Sequence, residues 1–451
     1  MELLQKVDIY HDIVLNKRSG PELAKKKQEV GVMRKILAAA IVVLLGANAF
    51  ALKGITFDQN GSIGKIITNI QETIPDSLAV PAARVEKKGK KQWTVMVFVN
   101  AKNNLERYGL KDTNEMEMVG SSDKVNVVVE LGRISGYYSG EGDWKTTRRY
   151  LIKKDNNPSL VTSPVLMEME KTDMGDWKHL VDFAKWSMEK FPAEHYMLVI
   201  WNHGSGWNKD ETFAATKGIS YDSETHNHIT TAQLKMAAKE IGGLDILSMD
   251  ACLMQMMEVA YEVKEHVKYV VASEETEPGD GYTYNTFLAP LIEQPYMTPA
   301  QLGKVTVNAF VDHYASIGYS ATHSSIKASS LLALKDMLNE WVKTVMEAND
   351  REVVKSARSA AQDFYYSSNK DLYHFLKLVS EKSQNEEVIA RSKEVMRFME
   401  KETLSYNKTT GSGYKNAYGL AIYLPYYLSS AYSDLEWAKD SQWDEFIKWY
   451  K

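Results

Sequence analysis

Cysteine is almost absent from this chain: Cys252 is the only one in 451 residues. A lone thiol cannot close an intramolecular disulfide, and cysteine zinc sites and iron-sulfur clusters need several, so Cys252 is either a small buried residue or a reactive nucleophile. Charge of one sign is scarce as well. Lys and Arg number 54 against 59 Asp and Glu, a net charge of -5 with no long basic stripe. The electrostatic footprint of a nucleic-acid binder is therefore missing. No repeat of solenoid type is present. What is there is length enough for two or three domains, or for one large α/β domain with additions.

One apolar stretch stands near the start. Met33-Arg34-Lys35 precedes Ile36 to Leu45, and Gly46, Ala47, Asn48, Ala49, Phe50 and Ala51 follow. That order is a basic n-region, an apolar h-region and a small-residue cleavage site, which predicts an exported protein, periplasmic or extracellular, cut after Ala49 or Ala51. The run is short against the roughly 20 residues of a membrane span. Because only Asn48 interrupts Ile36 to Leu52, an uncleaved membrane anchor is the alternative. Residues 1–32 then form an upstream extension of doubtful origin, explained by a start at Met33. Residues 33–51 form the signal peptide or anchor, and residues 52–92 a pro-segment or linker with Pro75, Pro81 and the charge run Glu86 to Lys91. The globular domain is expected over 93–451.

Within it, short apolar runs recur at Trp93 to Val99, Val125 to Leu131, Tyr196 to Trp201, Leu244 to Met249, Tyr269 to Ala272 and Gly419 to Leu424. Runs rich in Val and Ile without polar alternation are what strands buried on both faces of a parallel sheet look like. Trp177, Leu180, Val181, Ala184 and Met188 share one helical face between them, and Leu253, Met256, Met257, Ala260 and Tyr261 another. Alternating strand and helix predicts an α/β sandwich. Residues 331–405 read mostly as helix before the last strand returns.

Open parallel sheets place their ligands beyond the carboxyl ends of the strands. The run Tyr196 to Trp201 leads into Asn202-His203-Gly204-Ser205-Gly206-Trp207, and Leu244 to Met249 into Asp250-Ala251-Cys252. A thiolate is a nucleophile and imidazole exchanges protons near pH 7, so His203 and Cys252 at one sheet edge suit acyl transfer. Cys252 is expected to open a helix over Leu253 to Lys264 whose N-terminus would lower the thiol pKa. Gly204, with no Cβ, allows close approach of a carbonyl, and its N–H with that of Cys252 would form an oxyanion hole. Each residue has a plainer reading: an inert buried Cys and a structural His. Asp250 is two residues before Cys252, on the same side of an extended segment, where a carboxylate would hold a guanidinium or ammonium; the plainer reading is a helix cap. Asp222, Glu224, His226 and His228 have a mixed spacing that fits a polar surface turn better than a metal site.

The runs YMLVIWNHGSGW (196–207), ILSMDACLMQMMEVAYE (246–262) and ASEETEPGDGYTY (272–284), with TVMVFVNAKNNLE (94–106) and GLAIYLP (419–425), closely resemble the clostripain family of cysteine peptidases. The resemblance covers roughly Trp93 to Pro425. It implies a caspase-like α/β/α sandwich with a mostly parallel central sheet and a helical C-terminal addition. It also implies a His203 and Cys252 dyad, cleavage after basic residues, and self-cleavage between the His and the Cys. Asp280 matches a second acidic position at the family's substrate pocket, and its plainer reading is a turn residue. Lys217, before Gly218 in a polar loop, is the favoured self-processing site over Lys209. No cofactor is required. Some members depend on calcium, but no EF-hand loop is present. The expected partners are proteins or peptides with a basic P1 residue, with no nucleic acid, and a membrane only if the N-terminal segment stays uncleaved. Two rivals are an inactive binding or processing module of the same fold, and a metallohydrolase using His203, His226 and His228, which lacks the HExxH spacing.

Overall fold

The computed structural model describes residues 90–207 and 218–451, so the readings made for residues 1–89 and for Lys209 and Lys217 lie outside the described residues. Thirteen strands are described: β1 (Lys91–Asn100), β2 (Val125–Gly132), β3 (Thr147–Leu151), β4 (Val165–Met169), β5 (Ala193–Trp201), β6 (Ile219–Asp222), β7 (Asn227–Ile229), β8 (Leu244–Asp250), β9 (Val267–Ala272), β10 (Ala321–Lys327), β11 (Asn369–Asp371), β12 (Leu404–Thr410) and β13 (Ala421–Tyr423). Nine form one sheet in the order β12-β10-β9-β8-β5-β1-β2-β3-β4. The five central strands, β9-β8-β5-β1-β2, run parallel, and two antiparallel strands flank them on each side.

The apolar runs explain the centre. In β1 Met96 and Phe98 pack on one face and Val95, Val97 and Val99 on the other, all fully buried, so the side-chain alternation of a strand feeds two cores. Burying each such side chain contributes roughly 1.5–3 kcal/mol, and no strand with a wet face would repeat Val and Ile this way. Helices α1 (Glu106–Glu117), α5 (Tyr284–Glu293) and α6 (Pro299–Ser316) cover one face. The other is covered by α2 (Trp177–Lys190), α3 (Thr231–Ile241) and α4 (Met257–Val263). The later helices α7 (Leu331–Glu347), α8 (Arg351–Ala360), α9 (Leu372–Lys382), α10 (Glu386–Phe398), α11 (Glu436–Asp440) and α12 (Trp443–Tyr450) join that second core. This is the α/β/α sandwich expected, with its helical addition. Among the described residues no helix is long and apolar enough to cross a membrane.

Two expectations are corrected, and four strands are added to those expected. The run Gly419 to Leu424 does not return to the main sheet: β13 pairs with β11 in a separate two-stranded ribbon. The outer strands β3, β4, β10 and β12 were not foreseen. β10 reads ATHSSIK, and its buried Thr322, His323 and Ser324 are each hydrogen-bonded through the side chain; Ser324, for example, accepts from Gln255 at 2.7 Å. Finally, the helix after Cys252 begins at Met257, not at Leu253.

Candidate active site

Four of the parallel strands end at one cleft. Its wall includes Leu105 beyond β1, Trp201, Asn202 and His203 at the end of β5, Asp250, Ala251 and Cys252 at the end of β8, and Glu277, Pro278, Gly279 and Gly281 beyond β9, around a volume of about 100 Å³. β1 lies between β2 and β5, so the chain order reverses beside it, which is where crevices open in such sheets.

The His loop is stitched in place by Asn202. Its Nδ2 donates to the carbonyl of Tyr221 at 3.2 Å and its Oδ1 accepts from Tyr221 N at 2.7 Å. His203 Nε2 lies 2.8 Å from Asn104 Oδ1. With that oxygen accepting, the proton sits on Nε2 and Nδ1 is left as the basic nitrogen. Burial pushes the His203 pKa down, keeping the imidazole neutral. Asn104 went unremarked in the sequence because an Asn in a loop carries no spacing signal.

Cys252 sits in a turn, not at a helix N-terminus. Leu253 takes φ 65°, a left-handed conformation uncommon outside glycine, and it is held there as its N–H donates to Glu275 O at 3.1 Å. Gln255 N donates to Ser273 O at 2.9 Å, so the turn is pinned to the loop beyond β9. Burial pushes the Cys252 thiol up, and the thiol is not at a helix N-terminus as expected, because three residues separate it from Met256, the cap of α4. The N–H of Glu277 points at Sγ from 3.3 Å and opposes the effect of burial. Gly204 packs against this turn so closely that a Cβ would stand 2.5 Å from Cys252 O. Only glycine allows the two loops this approach.

The acids divide. Asp250 is 4% exposed at the floor of the cleft; it accepts from Tyr282 N at 3.1 Å and from the Tyr284 hydroxyl at 2.8 Å. Burial pushes its pKa up to about 6. Asp280 is on the rim, its side chain 46% exposed and 3.8 Å from Lys111 Nζ. Glu277, not singled out in the sequence, has a side chain only 4% exposed, and burial beside Asp250 pushes its pKa well up.

Asp222 is a turn organiser: it accepts from the N–H groups of Met174, Glu224 and Thr225 and lies 4.0 Å from Lys102 Nζ. His228 stacks on Tyr221. Among the described residues no three His, Cys, Asp or Glu side chains converge as a metal site. The described residues that flank 208–217 meet two residues after His203: Ser205 N donates to Gly218 O at 3.0 Å, and Gly218 N to Ser205 Oγ at 3.2 Å. Gly218 itself takes φ 117° with Ile229 O where a Cβ would be.

The one thiol of the chain, Cys252, faces a cleft built from four strand ends. The model of the clostripain family matches residues 97–450, and the chain belongs to that family. Clostripain of Hathewaya histolytica is 26% identical over 233 residues, 45% of this chain and 43% of that protein, so the match spans less than half of the relative. Among solved structures, a secreted C11 cysteine protease of Bacteroides thetaiotaomicron bound to an irreversible peptide inhibitor superposes with TM-score 0.60 at 21% identity, covering 78% of this chain and 99% of the other. An inactive zymogen C11 protease of Parabacteroides distasonis gives TM-score 0.56 at 20% identity, covering 79% and 99%. At these identities the superpositions speak for the fold.

Proposed function

We propose that the protein is an exported cysteine endopeptidase that cleaves after Arg or Lys and processes itself after Lys217. The observation that carries this reading is the cleft where Cys252, His203 and the buried Asp250 meet. Both partners of the dyad rest uncharged, since burial raises the thiol pKa and lowers that of the imidazole. His203 Nδ1 therefore takes the thiol proton as Sγ adds to the scissile carbonyl carbon, and returns it to the leaving amine when the C–N bond breaks. Water, deprotonated by the same imidazole, then releases the acyl group from sulfur. The N–H groups of Gly204 and Cys252 are the oxyanion donors, supported by the close packing of Gly204 on the Cys252 backbone. Asp250 holds the basic P1 head from the floor, and Asp280 adds charge at the rim.

Self-processing is supported by the stitch between Ser205 and Gly218, which ties the residue after Lys217 to the loop that carries His203. Export is supported by the sequence of residues 33–51. The test is cleavage of a peptide library together with N-terminal sequencing of the purified protein. Cleavage after Arg and Lys and a new N-terminus at Gly218 are expected, both lost in Cys252→Ala. A Cys252→Ala protein that cleaves at the wild-type rate removes the mechanism. Loss of activity on chelation but not on thiol alkylation favours the metallohydrolase.

A further inference from the structure

Two buried acids meet beside the turn that carries Cys252, and neither lines the cleft. Ser273 and Glu275 pin that turn, as Gln255 N donates to Ser273 O at 2.9 Å and Leu253 N to Glu275 O at 3.1 Å. Glu274, between them, is 1% exposed, and its Oε2 accepts from Gly419 N at 2.9 Å. Asp371, the last residue of β11, is fully buried; its Oδ1 caps α9 by accepting from His374 N and its Oδ2 accepts from Tyr418 N, both at 2.6 Å. Consecutive N–H groups, those of Tyr418 and Gly419, are thus taken by carboxyls from two distant segments, which brings the carboxyls together. Glu274 Oε1 finds no donor on any described residue and faces the Asp371 carboxyl instead. Two acceptors in a dry site hold together only with a proton between them. Residues 418–421 also reach the Cys252 turn through Gln255. Ala421 N donates to Gln255 O at 3.0 Å, while Ser324 Oγ accepts from Gln255 Nε2 at 2.7 Å and donates to Gly419 O at 2.6 Å.

We propose that Glu274 is a positioning residue for Cys252: one proton shared with Asp371 ties the loop beyond β9 to residues 418–421, and losing it loosens the turn that presents the thiol. This role rests on the reading of Cys252 as the nucleophile, and it acts through the turn alone, without contact to substrate.

The surroundings leave the pair without a counter-charge. Glu275 adds a further carboxylate from the same loop. Lys370, next to Asp371 on β11, is engaged by Asp363 at 3.1 Å. From α9, His374 is neutral because burial pushes its pKa down, and its Nδ1 accepts from Gln362 N at 2.9 Å. Tyr373, on the same helix, donates its hydroxyl to Glu400 and packs on Tyr418. Burial pushes Asp371 up to about 7, and burial together with the Asp371 carboxyl pushes Glu274 well up. In the unfolded chain both acids ionise near pH 4. The folded pair keeps a proton past neutrality, so the tie is whole in acid and neutral solution and is lost as pH rises.

The experiment follows the full chain from about pH 6 to about pH 10, each protein normalised to its own rate at pH 7. Cys252 is the only cysteine, so its iodoacetamide labelling rate reports on the turn whether or not the thiol is catalytic. Cleavage is measured on peptides with arginine or citrulline, its neutral isostere, at P1; a change common to both belongs to the enzyme and not to the substrate charge. In wild type, kcat should fall on the alkaline side by up to about tenfold per pH unit, the slope of one proton, while labelling rises more steeply than the titration of a lone thiol. Glu274→Gln keeps an acceptor for Gly419 N and offers Asp371 an N–H that does not titrate. Its alkaline fall in kcat should vanish and its labelling should follow one proton. Glu274→Ala breaks the tie at every pH and should lower kcat about tenfold at pH 7 with KM little changed. Melting temperatures check folding, and Asp371→Asn, which also removes the titrating pair, replaces Glu274→Gln if that variant does not fold. A folded Glu274→Gln protein with the wild-type alkaline behaviour overturns the proposal, as does a wild type whose labelling follows one proton throughout. A Cys252→Ala protein that cleaves at the wild-type rate overturns the nucleophile reading instead, and the labelling result stands apart from it.

Discussion

Asp250 lines the cleft and Asp280 stands between two residues that do, Gly279 and Gly281, and the structure treats the two acids differently. On the floor, Asp250 is stripped of water and locked by two hydrogen bonds, and burial raises its pKa to about 6. On the rim, Asp280 keeps half its surface in solvent and pairs loosely with Lys111. A charge in a dry site interacts several times more strongly than one in water, and it pays for this in desolvation unless a counter-charge arrives. On the proposed reading a buried acid would select a substrate by its charge, while an exposed one would only steer it. The same effect acts on the proposed dyad: burial pushes the Cys252 thiol up and the His203 imidazole down, so both favour the neutral form.

The comparison is broken most severely by disturbing the approach of the two loops. Gly204→Ala puts a methyl group 2.5 Å from Cys252 O, so one loop must move. A loss of about 100-fold or more in kcat is expected, since displacements near 1 Å cost that much; single-turnover kinetics on a folded variant check it. Asp250→Asn removes a floor charge and should lower kcat/KM for arginine peptides by about 10- to 100-fold while sparing citrulline peptides. A smaller effect is set by pH. His203 must be neutral to accept a proton, and burial lowers its pKa, so activity on a citrulline peptide should hold as pH falls to 6.5 and decline only below that value. Asp250 must also be ionised to hold a cation, so the arginine peptide should lose activity more steeply, with two protons rather than one, as pH falls through about 6. Equal slopes for the two peptides would remove Asp250 from the pocket. Least is expected of Asp280→Asn: a change below about threefold at physiological salt, growing at low salt because an exposed charge acts over a Debye length of about 8–10 Å. A larger effect than that of Asp250→Asn would reverse the assignment of floor and rim.

The legible parts of the molecule are those where chemistry and pattern coincide. The five parallel strands announce themselves because burial on both faces forces unbroken Val and Ile runs, as in Val125 to Leu131. His203 and Cys252 follow two such runs directly, so the sheet edge on which they meet could be read off. The flanking strands were not legible. β12 reads LSYNKTT and β10 ATHSSIK; their stability comes from pairing and from buried side-chain hydrogen bonds, which leave no apolar period.

The start of α4 was misjudged for a related reason. Leu253 to Met256 have the right apolar spacing for a helix, yet Leu253 is turned to a positive φ by bonds to the loop beyond β9, a partner far along the chain. The sequence by itself determined the layered α/β architecture and offered a single cysteine as candidate nucleophile, because hydrophobic periodicity and a unique cysteine are local properties. Which carboxylates lose their water, which face Lys111, and which nitrogen of His203 is free were decided only by the tertiary structure, since desolvation and hydrogen-bond geometry belong to the packing of distant segments and not to any one of them.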